Sequence, residues 1–194
     1  MTRAIVIVLD SVGVGQAPDA DRYNDQGADT LGHLLDCRPE LALPHLWSLG
    51  LGHILHRCSA GVLRGSYGRM REQSAGKDSL TGHWELAGVI LPEPFSLFDH
   101  FPPELVATIE QECGIKFIGN CPASGTQIIE ELGPEHLRTG RLILYTSADS
   151  VLQIAAHEQM IPLDRLYQIC RTARRHADAY RIGRVIARPF AGCP

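Results

Sequence analysis

Asp10 stands directly after an unbroken apolar run, residues 4–9, and before the glycine-rich stretch Ser11-Val12-Gly13-Val14-Gly15. A carboxylate there offers hard oxygens that suit Mg²⁺ or Mn²⁺ better than a soft metal. Strand-terminal aspartates also cap helices and start turns, and position alone leaves both readings open. Ser79 follows Gly76-Lys77-Asp78 in a second polar stretch. A serine hydroxyl attacks phosphorus when a metal lowers its pKa, and Lys77 would add a point charge for a phosphate. Asp78, Ser79 and Thr81 are also good N-cap residues, and spacing alone favours the cap.

Other groups carry less chemistry. Residues 145–150 (Tyr-Thr-Ser-Ala-Asp-Ser) close an apolar run with small polar side chains, which suits a substrate-facing loop or a cap leading into a helix over 151–156. Arg184 and Arg188 lie on a strand-like stretch and either meet a phosphate or face solvent. Asp99-His100 has no further ligand nearby and is set aside as a metal pair. His83 and Trp84 read as packing residues, and Arg171, Arg174 and Arg175 as a solvated helix face. The histidines show no HExxH spacing and no i, i+4 pairing.

The elements that must position these groups follow from the apolar pattern. The β-branched run at 4–9 suits a strand buried on both faces of a parallel sheet, and ligands gather at the carboxyl ends of such strands. Residues 16–30 read as loop, 30–35 and 43–49 as short helices, and 61–71 as a strand with turn glycines. A helix begins near Ser79, where free N–H groups favour an anion. A linker at Pro92-Glu93-Pro94 precedes a second pattern: a helix over 102–112, a strand at 116–118, a helix over 125–132, a strand at 142–145, a helix over 163–177 and a strand at 183–187. Such alternation predicts a small α/β unit.

Composition narrows the classes. The 194 residues are 44% hydrophobic and 21% charged, with a formal charge of -4, an ordinary globular make-up without the basic footprint of a nucleic-acid binder. The run at 4–9 is too short to span a bilayer or to serve as a signal-peptide core. The six cysteines show no CxxC pairing, which points to reduced thiols and a cytoplasmic setting.

Six segments, in order along the whole chain, resemble the phosphopentomutase family of the alkaline phosphatase superfamily. They are residues 8–19 and 27–33, residues 76–85 (Gly-Lys-Asp-Ser-Leu-Thr-Gly-His-Trp-Glu), residues 119–126 (Gly-Asn-Cys-Pro-Ala-Ser-Gly-Thr), residues 145–158, and residues 183–190 (Gly-Arg-Val-Ile-Ala-Arg-Pro-Phe). The resemblance implies interconversion of ribose 1-phosphate and ribose 5-phosphate, and of their 2-deoxy forms, in nucleoside salvage and deoxyribose phosphate catabolism. It implies a phosphoenzyme, two Mn²⁺ ions that neutralise developing charge, and a cap that excludes water. By the same resemblance Asp10 is a metal ligand, Ser79 is both metal ligand and nucleophile, and Ser147, Asp149, Val151, Arg184 and Ile186 hold the sugar phosphate. The family's usual nucleophile is threonine, so Ser79 departs from it by a methyl group that restricts χ1; Thr81 ranks well below it.

The fold class implied is α/β: the N-terminal segment of an alkaline-phosphatase-like core over 1–95, followed by a small α/β cap domain over 96–194. The family's chains continue for about another domain carrying the remaining aspartate and histidine ligands, so this polypeptide alone is expected to be inactive as a mutase. The partner implied is a small sugar phosphate, with no nucleic acid and no membrane; oligomeric state has no signal. The rivals are another superfamily phosphomutase or phosphatase, such as a cofactor-independent phosphoglycerate mutase, and a non-catalytic module that binds a sugar phosphate.

Overall fold

The computed structural model describes residues 3–9, 11–57 and 61–192. Its internal contacts divide into two units, residues 1–72 and residues 73–194.

The first unit is helical. It holds α1 (Thr30–Cys37), α2 (Pro44–Leu49) and α3 (Leu51–Ile54). Asp29 caps α1: one carboxylate oxygen accepts from Gly32 N and from Gly15 N, both at 3.0 Å. Leu31 N donates to Gly13 O at 3.0 Å, so the glycine-rich loop after position 10 is tied to the start of α1. Ala20, Leu31 and Leu35 are its buried apolar side chains. Two expected strands do not form. Residues 4–9 have no strand hydrogen bonding, and Ile5, Val6 and Ile7 are 83%, 78% and 81% exposed. Residues 61–71 are likewise irregular. A β-branched run needs neighbouring strands to satisfy its backbone, and the described residues of this unit supply none. α3 was not legible because it is a single turn after Gly50.

The second unit contains α4 (Ser79–Leu86), α5 (Pro103–Cys113), β1 (Phe117–Pro122), α6 (Gly125–Thr139), β2 (Leu142–Thr146), β3 (Val151–His157), α7 (Leu163–Ala177) and β4 (Arg184–Phe190). The α/β expectation holds here. The four strands lie in the order β1-β2-β3-β4, with β1/β2 and β3/β4 parallel and β2/β3 antiparallel. Each parallel pair is joined by a helix, α6 or α7. Right-handed crossovers on oppositely directed pairs send their helices to opposite faces, and the packing shows that division. Leu142, Leu144, Leu152, Ile154 and Ala156 pack with Leu105, Ile109, Leu166, Ile169 and Ala173 of α5 and α7. The alternate residues Ile143, Tyr145 and Ala155 pack with Ile128 of α6. β2 and β3 are therefore buried along their whole length.

Two expectations change. Residues 151–156 form a strand, not a helix, because an apolar run between two other strands is buried from both sides. α6 runs on past Leu132, through Pro134, to Thr139. Its far end is held by the buried His136, whose Nδ1 donates to Arg141 O (2.6 Å) while its Nε2 accepts from His157 N (2.9 Å), a tautomer assigned from these partners. That tertiary tie outweighs one missing helical donor at proline.

β1 carries a bulge between Gly119 and Cys121. Gly119 has φ +91°, and a Cβ there would stand 2.7 Å from Leu144 O. Asn120, at φ +61°, accepts from Phe101 N (2.8 Å) and donates to Phe101 O (3.1 Å), which fixes the fully buried Phe101 at the entrance to α5. Gly119→Ala should cost more than about 1 kcal/mol, from φ strain and the clash together. Urea denaturation followed by circular dichroism measures this, and an unchanged midpoint would sink it. In the first unit, backbone hydrogen bonds from Gly15 and then Gly32 hold the Asp29 carboxyl below its ordinary pKa. A depressed folded-state pKa stabilises above the unfolded value, near pH 4, and that stabilisation is lost as pH falls through the folded value. Asp29→Asn should thus be less stable than wild type at pH 6, with the gap narrowing at pH 3; an equal gap at both would contradict it.

Candidate functional site

α4 begins as the polar pattern requires. Asp78, in extended conformation, is its N-cap: Oδ1 accepts from Leu80 N (2.9 Å) and Thr81 N (3.0 Å). Oδ2 accepts from the Thr81 hydroxyl at 2.6 Å, and Thr81 is fully buried. Ser79 is exposed at the first helical position, where its hydroxyl does none of this capping. The cap that spacing left open is thus assigned: Asp78 caps, Thr81 is locked against the cap, and Ser79 is exposed. Glu85 accepts from Gln73 N and Ser74 N, both at 2.7 Å, and these bonds lower its pKa. The largest contribution to that lowering is the Ser74 side-chain hydrogen bond, ahead of the two backbone bonds, and together they fold the loop preceding Ser79 back onto its own helix. Trp84 meets Phe95 edge-on, centroids 5.7 Å apart, but is 40% exposed, and His83 is exposed with Nδ1 at 2.6 Å from Ser79 O, so neither is packed beneath the helix as expected.

The residues expected to hold the sugar phosphate converge where β3 and β4 begin. Val151 is in register with Arg184, and Gln153 with Ile186. Asp149 accepts from Arg184 Nη2 at 2.8 Å, and Ser147 Oγ accepts from Asp149 N at 3.4 Å. Arg184 Nε is buried with no hydrogen-bond partner among the described residues. Ser150 locks the corner: its hydroxyl donates to Ser96 O (2.6 Å) and accepts from Gly183 N (3.0 Å). Gly183 packs so closely that a Cβ there would lie 3.2 Å from Leu80 and 3.3 Å from Phe95. Leu80 thereby sets the start of α4, and Ser79 with it, against the β3–β4 corner.

Period-two alternation places Arg184, Ile186 and Arg188 on one face with Val151, Gln153 and Ala155. α6 packs over β1, β2 and β3. On the β4 side of that face Arg184 and Ile186 are half-buried and Arg188 is exposed. Arg188 Nε donates to the buried Gln153 at 2.8 Å. The Tyr145 hydroxyl is also hydrogen-bonded to Arg188, yet burial outweighs this and raises the tyrosine's pKa. Sequence reasoning missed Gln153 and the role of Tyr145, because it offered a loop or a cap leading into a helix there and not the strand whose register pairs Tyr145 with Gln153. The helix-face arginines are not simply solvated: Arg174 donates to Ile182 O (2.8 Å) and pairs with Asp178 (2.5 Å), and Arg175 pairs with Glu112.

Asp10 lies outside the described residues. Among the described residues no group of three or more His, Cys, Asp or Glu side chains could hold a metal ion. One serine hydroxyl does not make a two-ion centre, which needs several oxygen ligands per ion, so the described residues alone do not fit that group. No helix is long and apolar enough to cross a membrane among them. Cys37, Cys113, Cys121 and Cys170 are free, and burial pushes the Cys170 thiol up to about 11.

If the helix start has this division of labour, Asp78→Ala should cost about 1 kcal/mol, while Ser79→Ala should stay within about 0.5 kcal/mol of wild type. Thermal and urea melts of the two variants decide it; a Ser79→Ala loss equal to that of Asp78→Ala would make Ser79 a structural residue.

No family model matches the chain. A phosphopentomutase from Acetivibrio thermocellus is 55% identical over 198 aligned residues, covering 99% of this chain and 51% of that protein. The ordered motifs and the alignment point the same way. Along almost its whole length the chain is similar to that phosphopentomutase, and it spans about half of that protein's length.

Proposed function

We propose that the chain is part of a phosphopentomutase, an isomerase that interconverts (deoxy)ribose 1-phosphate and (deoxy)ribose 5-phosphate through a phosphoenzyme. The observation that carries this reading is 55% identity over 99% of the chain to a protein of that name. Ser79 is the nucleophile: an exposed hydroxyl at a helix N-terminus, where the dipole and free N–H groups favour the phosphoryl group it would carry. Asp10 is a metal ligand in this reading. The family's two Mn²⁺ ions require ligands in addition to Asp10 and Ser79. Ser147, Asp149, Val151, Arg184 and Ile186 bind and orient the sugar phosphate. The Asp149–Arg184 pair supplies an acceptor and donors within 2.8 Å of each other, as a polyhydroxylated ring requires, and Val151 and Ile186 give it an apolar floor. Residues 1–95 are the core segment and 96–194 the cap, in a cytoplasmic enzyme.

Incubation of the mutase assembled with its remaining ligands, with Mn²⁺ and ribose 1-phosphate, should place phosphate on Ser79 in the peptide mass spectrum. Ser79→Ala should abolish both the label and ribose 5-phosphate formation. Phosphate on Thr81, or undiminished turnover by Ser79→Ala, would overturn the assignment.

A further inference from the structure

Among the described residues, Arg188 is a cation on the β3–β4 face whose charge no carboxylate offsets. Arg184, two positions earlier on the same face, is paired with Asp149 at 2.8 Å. Arg188 has no ion pair among the described residues; both of its polar contacts are neutral, the Gln153 carbonyl oxygen at 2.8 Å and the Tyr145 hydroxyl. Gln153 and Tyr145 are 4% and 1% exposed, so an exposed guanidinium is braced by two buried groups that fix its direction and leave its charge intact. A solvated arginine needs no such brace, and an arginine recruited for stability is served better by a carboxylate. A second positive feature meets the same hydroxyl. Gly125, the first residue of the 15-residue α6, approaches Tyr145 so closely that a Cβ there would lie 3.1 Å from its Oη. Ser124 caps only Gln127 N, and the positive end of the helix dipole therefore lies beside the Arg188 brace.

We infer that Arg188, with the N-terminus of α6, forms a binding site for a phosphoryl group, with Gln153 and Tyr145 as its positioning residues. This rests on the sugar-phosphate reading above and deepens it: Arg184 and Asp149 take ring hydroxyls, and Arg188 takes the phosphate. The guanidinium offers its Nη donors in a fork that matches phosphate geometry, while Nε is spent on Gln153. No covalent step is involved.

Calorimetry on the 194-residue chain tests this with three probes: ribose 5-phosphate, ribose and inorganic phosphate. Arg188→Gln should weaken ribose 5-phosphate and inorganic phosphate at least tenfold and leave ribose unchanged. Gln153→Glu keeps the side-chain volume but supplies the missing carboxylate, and it should weaken both phosphates comparably with the fold intact by circular dichroism; a purely structural glutamine would not separate phosphate from ribose in this way. Ribose 5-phosphate bound equally by wild type and Arg188→Gln would overturn the inference and leave the sugar-phosphate reading standing. Inorganic phosphate bound through Arg188 with no affinity for ribose 5-phosphate would support the anion site and sink the sugar-phosphate reading. Failure of wild type to bind either phosphate would overturn the anion site.

Discussion

The antiparallel pairing of β2 with β3 governs the second unit. Had that pairing been parallel, both crossover helices would lie on one face and the other would be bare. Reversal gives α5 and α7 one face and α6 the other, so β2 and β3 are sealed on both sides and accept only apolar or fully bonded side chains. The turn that makes the reversal is itself closed by hydrogen bonds: the Thr146 hydroxyl donates to Val151 O at 2.9 Å, and the Ser150 hydroxyl bridges Ser96 and Gly183. Small hydroxyl residues at 146–150 are therefore both the corner of the sheet and the rim of the candidate site.

That double duty explains what was readable in the sequence. The helix over 163–177 was legible to the residue, since its apolar side chains repeat at helical spacing and Pro162 marks its start. The strands expected at 142–145 and 183–187 were legible as β-branched or apolar runs beside turn residues, though the second runs on through Pro189 to Phe190. Val151 to His157 was not, because a strand buried on both faces has no alternation, and its glutamine and histidine are buried polar groups whose partners lie on other elements. The run at 4–9 failed for the opposite reason: its composition is that of a buried strand, but pairing is a property of neighbours.

The candidate site shows the same divide. Spacing could not tell which of the three residues at 78–81 caps the helix, since Asp78, Ser79 and Thr81 are all good N-cap types; the hydrogen bonds of Asp78 make it the cap and leave the Ser79 hydroxyl outside the capping. The ordered motifs, and not local physics, brought Ser147, Asp149, Val151, Arg184 and Ile186 into one group, and the register of β3 with β4 supplies a physical reason for that grouping. Gln153 and Tyr145 needed the strand itself, because only the pleat tells which side chains share a face.

The exposed run at residues 4–9 has a consequence for the chain in solution. Six consecutive apolar residues, four of them β-branched, without proline, glycine or charge, have the make-up of segments that self-associate through intermolecular strand pairing. Left uncovered, this stretch is an adhesive edge. Among the described residues Ile5, Val6 and Ile7 are 83%, 78% and 81% exposed, so the run is available for strand pairing with another copy of the chain.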